Sequence, residues 1–218
     1  MKILWTLVIL AGVCSVQAQN KKANAQRWDQ LYLNPDAKVP VNPSNLVLEA
    51  TASLKPGAAL DVGMGNGRNS VYLARKGWKV TGIDISEAAV KQAQQEAAKL
   101  KVEFDARAGD VEKMDLGHSR YDLIVCMYVN LVAVRSSRKL IDALKPGGLL
   151  IVEGHHAEVQ AMGMRPVNGG PAGYADNQLL HVYDKLRIVR YEDRMMAAEW
   201  SNGPEGRAPV VRLVAVKP

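Results

Sequence analysis

From residue 58 onward, short apolar runs alternate with stretches in which apolar residues recur at helical spacing. The runs at 59–64, 79–85, 102–108, 121–127 and 149–154 predict strands. Between the second and third, Ser86 is a suitable N-cap, and Ala89, Ala93, Ala97 and Leu100 fall on one face with Lys and Gln elsewhere, predicting an amphipathic helix. A helix over 138–144 must stop before Lys145-Pro146-Gly147-Gly148, because proline and paired glycines turn the chain into the next strand. Such alternation is the sequence form of a parallel sheet covered by helices. The last two β-prone runs, 186–191 and 210–216, are joined by a linker too short for a crossover helix, so they should pair antiparallel. The first sixty residues show only two candidate helices, 23–31 and 46–54, around a proline-rich stretch at 34–43, and predict a cap over the sheet.

The chain begins Met1-Lys2 and then runs apolar from Ile3 to Cys14, followed by Ser15-Val16-Gln17-Ala18. That is the form of an export leader cleaved after Ala18, and the run falls short of the ~20 residues a membrane span needs. Export to a periplasmic or extracellular space is the expectation, with a cytosolic placement if translation starts downstream of Met1. Val13 stands where a lipoprotein signal wants a small residue before Cys14. Without the leader Cys126 is the only cysteine, so stability rests on packing and no intrachain disulfide. The formal charge of +6 is spread along the 218 residues without a basic, aromatic-interleaved stripe, which argues against a nucleic-acid partner.

The densest chemical signal is Leu60-Asp61-Val62-Gly63-Met64-Gly65-Asn66-Gly67-Arg68-Asn69-Ser70, an apolar strand entering a glycine turn and then a helix. Glycines there let the backbone turn sharply and approach a ligand at the strand ends. A dinucleotide loop wants G-x-G-x-x-G, but its third glycine position is Arg68, and no Gly-Lys-Ser/Thr follows to make a P-loop. The remaining pattern, D-x-G-x-G-x-G, resembles motif I of the class I S-adenosylmethionine-dependent methyltransferases. The resemblance extends from about Trp28 to the C-terminus through Asp84, Gly109-Asp110-Val111, the 121–126 strand and the 144–151 turn and strand.

This resemblance implies a Rossmann-like, doubly wound, mostly parallel seven-stranded α/β sheet with an antiparallel C-terminal strand. Residues 1–18 would be the leader, 19–57 a helical cap and 58–218 the methyltransferase domain. It implies S-adenosylmethionine as cofactor, with Asp61 holding the methionine end and Gly63, Gly65, Asn66 and Gly67 forming the loop beneath it. Asp84 and Ile85 would take the ribose, Asp110 and Val111 the adenine, and Cys126 would lie alongside on the fourth strand. Gly65-Asn66-Gly67-Arg68-Asn69-Ser70 and the early Trp28-Asp29-x-x-Tyr32 look like the tellurite-resistance and thiopurine branch, which methylates small soft nucleophiles.

The sulfonium is already an activated methyl donor, so alignment does most of the work and a base is needed only for nucleophiles that carry a proton. A small-molecule thiol, chalcogen oxyanion or amine is the expected acceptor. Tyr128, His155 and His156 are the candidate catalytic residues, with Asn130 and Glu153 beside them. Adjacent histidines lack metal-ligand spacing. The 157–174 segment, which carries Arg165, reads as a lid. A nicotinamide oxidoreductase shares the fold and the Asp84 position but is opposed by Arg68 and Gly109-Asp110; a cofactor-binding module without turnover is the other alternative. Export also stands against a cofactor made in the cytosol.

Overall fold

A computed structural model describes residues 22–164, 173–201 and 206–218. The expected leader, with Cys14, and Arg165 of the expected lid lie outside the described residues. A helix α1 covers 22–33. It is followed by α2 (Asn45–Thr51), β1 (Ala58–Val62), α3 (Arg68–Arg75), β2 (Lys79–Asp84), α4 (Glu87–Lys99) and β3 (Asp105–Ala108). Then come β4 (Tyr121–Met127), α5 (Asn130–Arg135), α6 (Ser137–Ala143), β5 (Leu144–His155), α7 (Glu158–Ala161), α8 (Gln178–Val182), β6 (Arg187–Ala197) and β7 (Arg207–Val216). The strands form one seven-stranded sheet in the order β3-β2-β1-β4-β5-β7-β6. All pairings from β3 to β5 are parallel, and β7 runs antiparallel to both its neighbours.

Alternation along the central strands divides the core into two layers. Leu60, Val62, Ile124, Cys126, Leu150 and Val152 face α5, α6 and α8, where Leu140, Ala143 and Leu179 cover them. Ala59, Leu123, Val125 and Ile151 face the other way and meet Leu46 and Val47 of α2 and Leu73 of α3. α2 therefore fills part of the main helix layer. Of the predicted α4 face, Ala89, Ala93 and Ala97 are buried and are joined by Val90, whereas Leu100 is the C-cap and lies 40% exposed; Ser86 Oγ accepts from Ala89 N at 3.1 Å as the N-cap. Among the described residues no helix is long and apolar enough to cross a membrane.

The elements differ from expectation mainly at their ends. β3 begins at Asp105 instead of 102, because Lys101 takes a left-handed φ of 54° at the end of α4 and Val102 N still donates to Ala97 O. β5 starts at Leu144, with the Pro-Gly-Gly turn carried inside it as a register shift opposite Tyr121 and Leu123. The last two strands pair antiparallel as expected but extend further, from Arg187↔Val216 to Ala197↔Arg207.

Three strands at one edge share a charge ladder. Glu153 on β5 is 1% exposed and lies opposite Arg212 on β7, whose Nε donates to its Oε2 at 2.6 Å. Arg212 also approaches Glu192 on β6 at 3.7 Å, and Glu192 accepts from Arg190 and Arg194. Removing one partner leaves a buried charge without compensation, so Arg212→Ala is expected to cost about 3–5 kcal/mol in urea unfolding. The Glu153→Gln, Arg212→Met double variant should lose clearly less than Arg212→Ala alone; equal losses would show that the pairing is energetically idle.

Candidate active site

The strand order reverses between β1 and β4, and there the C-terminal ends of β1, β2, β4 and β5 open on a cavity of about 580 Å³. Open α/β sheets hold their ligands at such a reversal. The topology gives the cavity two ends. The β2 and β3 ends contribute Asp84, Ile85, Asp110 and Val111, while the β4 and β5 ends contribute Tyr128, Asn130 and His155.

At the first end Asp84 is the organising group. One carboxylate oxygen accepts from Gly65 N and the other from Ser86 N, each at 2.8 Å. Burial raises its carboxyl above the usual range, while these N–H bonds oppose the shift. A carboxylate has about four acceptor sites, so both oxygens keep capacity for ligand hydroxyls. Ser86 Oγ donates onward to Asp29 Oδ1 at 2.6 Å, and the same oxygen accepts from Ala88 N. Asp29 thus docks α1 over the cavity and places Arg27, Trp28 and Tyr32 in its wall. Asp110 accepts from Glu112 N at 3.0 Å, and Lys139 on α6 donates to the carbonyls of Val111, Glu112 and Met114, which fixes this turn.

The loop between β1 and α3 is left-handed at Gly63, Gly65 and Gly67, a conformation costly for residues with a Cβ. Gly63 faces the cavity. Gly65, Asn66 and Gly67 lie behind its wall: Gly65 supports Asp84, Asn66 Nδ2 donates to Pro40 O at 2.9 Å, and Gly67 caps α3. Asp61 is also behind the wall, 1% exposed, accepting from Ser70 Oγ at 2.7 Å. Burial pushes its carboxyl up to about 6. Cys126 does not reach the cavity either. Strand alternation turns its side chain into the core layer beside Val62 and Val152, where burial raises its thiol pKa.

At the second end, Tyr128 has a φ of 59°, the left-handed region that strains a residue with a Cβ. Its hydroxyl is engaged on both sides, accepting from Glu199 N at 3.2 Å and hydrogen-bonding Glu153. His155 meets the Tyr128 ring edge-on, with centroids 5.1 Å apart. Its Nε2 is buried with no hydrogen-bond partner among the described residues, and burial lowers its pKa. His156, the first residue after β5, is engaged elsewhere. Its Nε2 meets Asp176 Oδ1 at 2.9 Å and its Nδ1 accepts from Glu158 N at 3.2 Å, so both nitrogens are spent on holding the chain after β5. The expectation that His156 acts in catalysis is corrected on that ground.

Residues 59–148 match a family described as a methyltransferase domain. Over that stretch the chain is similar to a methyltransferase domain. The ubiquinone biosynthesis O-methyltransferase of Coxiella burnetii is 33% identical over 135 residues, 58% of this chain and 56% of that protein. The enzyme of the same name from Bordetella bronchiseptica is 33% identical over 150 residues, 63% and 60% of the two chains. The chain thus spans little more than half the length of these curated relatives. Among solved structures, the N-methyltransferase NodS from Bradyrhizobium japonicum, in complex with S-adenosyl-L-homocysteine, superposes with a TM-score of 0.69 at 18% identity, covering 89% of this chain and 98% of that one. TehB from Haemophilus influenzae gives 0.66 at 22% identity over 85% and 64%. At these identities the likeness is one of fold.

Sequence reasoning missed the second end's closure. Glu199, from the connection after β6, forms an ion pair with the buried Arg68 of α3 as well as its bond to Tyr128. Trp200 follows it into the cavity wall and meets Trp28 edge-on at 6.4 Å. The Trp28-Asp29-x-x-Tyr32 pattern was the available signal for α1, whereas no local pattern marks Glu199 or Trp200.

The Asp61 carboxyl yields a test of the loop. Its folded pKa lies above the unfolded 3.8, so its favourable contribution is present in acid and is lost as pH rises through about 6. Asp61→Asn should therefore stabilise the ligand-free protein at pH 7.5 by up to about 3 kcal/mol, with the gain vanishing toward pH 4. Thermal unfolding against pH checks this; a gain that ignores pH would refute it.

Proposed function

We propose that the protein transfers a methyl group from S-adenosylmethionine to a proton-bearing nucleophile on a small molecule. The observation that carries this reading is one cavity lined at one end by Asp84 and Asp110 and at the other by His155, whose buried Nε2 has no hydrogen-bond partner among the described residues. The first end fits an adenosyl group by its chemistry: Asp84 has acceptor capacity for ribose hydroxyls, Asp110 for an exocyclic amine, and Ile85 and Val111 supply apolar surface. Asp61 lies close behind the loop, where its negative charge favours an ammonium group above it.

S-adenosylmethionine held at the Asp84 and Asp110 end would supply an activated methyl group to the acceptor atom, its carbon–sulfur bond breaking with the electron pair left on sulfur, and His155 would take the acceptor's proton. The chain's own part is alignment and proton acceptance. Strand ends fix the cavity walls, and fixed geometry alone accounts for large accelerations. His155 is neutral at pH 7 because burial lowers its pKa, and in its Nδ1–H tautomer Nε2 offers a lone pair. That favours a hydroxyl, thiol or amine over a chalcogen oxyanion, which has no proton to give up. The thiol and amine follow from the resemblance to the tellurite-resistance and thiopurine branch; the hydroxyl follows the names of the O-methyltransferase relatives. Tyr128, with its hydroxyl held by Glu153 and Glu199, acts as an oriented wall.

Calorimetric titration with S-adenosylmethionine, S-adenosylhomocysteine and NAD tests the reading directly. Both sulfur compounds should bind and NAD should not, and Asp84→Ala should weaken the former at least tenfold; binding of NAD alone, or of nothing, would overturn it. Once an acceptor is in hand, His155→Asn should lower kcat by about 10²–10⁴ with cofactor affinity retained. The parent's rate should rise with pH to a plateau reached below the ordinary histidine pKa of about 6.5, and a variant as fast as the parent would remove His155 from the chemistry.

A further inference from the structure

We infer that Lys139 is a positioning residue for the nucleobase of the cofactor, holding the 110–114 turn in the shape that tells adenine from other bases. The inference rests on the methyl-transfer reading above and extends it to a residue outside the cavity wall. Asp110 and Val111 line the cavity, whereas Lys139 on α6 stands behind them. Its Nζ donates to the carbonyls of Val111 at 3.2 Å, Glu112 at 2.8 Å and Met114 at 2.9 Å. An ammonium has three protons, so each carbonyl has one.

Two successive peptide groups connect that ammonium to Asp110. In the first, the Val111 carbonyl accepts from Lys139 while the Glu112 N–H of the same peptide donates to Asp110 Oδ1 at 3.0 Å. In the second, the Glu112 carbonyl accepts from Lys139 while the Lys113 N–H donates to Asp110 O at 2.8 Å. A peptide group is planar, so fixing its carbonyl aims its N–H. Lys139 thus orients the Asp110 carboxylate from the far side of the backbone. Carbonyl oxygens gathered around one point also repel one another unless a cation sits among them. The ammonium that supplies it comes from 25 to 28 positions further along the chain.

Base selectivity follows from the orientation of that carboxylate. It can accept from an exocyclic amine, but it meets a ring carbonyl at the same place oxygen to oxygen, with no proton between them. The other supports of the turn do not aim the carboxylate. Val111 shares a core cluster with Leu116 and with Leu140, the residue after Lys139, so apolar contact seats the turn on α6 with or without the ammonium. Arg135 approaches Glu112 at 3.8 Å with its side chain 60% exposed, a surface pair of small effect.

The test is titration of the full chain and its Lys139→Met and Lys139→Arg variants with S-adenosylhomocysteine and with S-inosylhomocysteine, which carries a ring carbonyl in place of the exocyclic amine. The parent should prefer the adenosyl compound by about tenfold or more, the effect of one hydrogen bond to a charged group. Lys139→Met should bind S-adenosylhomocysteine about tenfold less tightly and lose most of that preference, with Lys139→Arg in between. A general loss of stability would weaken both compounds equally, so a parental ratio in Lys139→Met would overturn the proposal, as would a parent without the preference; both results leave methyl transfer intact. If Lys139→Met does not fold, Lys139→Arg decides, because its planar fork does not match three carbonyls gathered around one point, and a parental ratio there would overturn the proposal. Binding of neither compound to the parent would sink the underlying reading and this one with it.

Discussion

The site depends on how a buried carboxylate at the end of β2 is shared. Asp84 accepts from Gly65 N in the glycine loop and from Ser86 N at the start of α4, so one side chain ties together two chain turns that leave adjacent strands. Through Ser86 the same network reaches Asp29 and draws α1 across the opening. The loop's left-handed glycines make this possible, because a Cβ would oppose both the backbone path and the close approach. The mouth of the cavity is therefore set from beneath, by hydrogen bonds at the strand ends, before any residue on α1 or after β6 adds a wall.

Three buried carboxylates surround the cavity, and their compensation differs in kind. Glu153 has a guanidinium at 2.6 Å, Asp84 has the backbone N–H groups of Gly65 and Ser86, and Asp61 has the Ser70 hydroxyl and backbone with the Arg68 charge nearby. All three have raised carboxyl pKa values, with burial as the leading cause. A structural ion pair is closed, as Glu153 with Arg212 is, and gains nothing from a ligand. No guanidinium or ammonium is bonded to Asp61 or Asp84 among the described residues, so burial keeps their charge costly in the protein alone.

What was legible in the sequence is what is local or periodic. The five parallel strands, the Ser86 cap, the α4 face and the antiparallel final pair each follow from a repeat or a capping residue within a short window. The glycine loop and Asp84 were legible for the same reason, since a strand, a turn and a helix N-terminus occupy consecutive residues. Cys126 and His156 misled because a strand reverses direction at every residue: one position decides whether a side chain enters the cavity, the core or the opposite flank. His155 faces Tyr128 while His156 is consumed by Asp176 and Glu158. Glu199 and Trp200 were illegible because their roles exist only through Arg68 and Tyr128, 131 and 71 positions away in sequence.

This split between local and distant determinants also divides the chemistry. Groups at the first end of the cavity come from the turns after β1, β2 and β3, all inside one compact stretch of chain, where changing a residue disturbs the strand or helix that carries it. The rest of the cavity wall comes from α1, from the ends of β4 and β5 and from the connection after β6, which meet only in the folded state. Segments such as α1 and the β6–β7 connection can change without dismantling the central sheet, because the two core layers are built from β1, β4 and β5 and the helices beside them. Arg68 is the exception that joins the halves. It stands at the first position of α3, directly after the glycine loop, yet its guanidinium holds Glu199. The same turn that shapes the first end of the cavity therefore also anchors the segment that carries Trp200 into its wall.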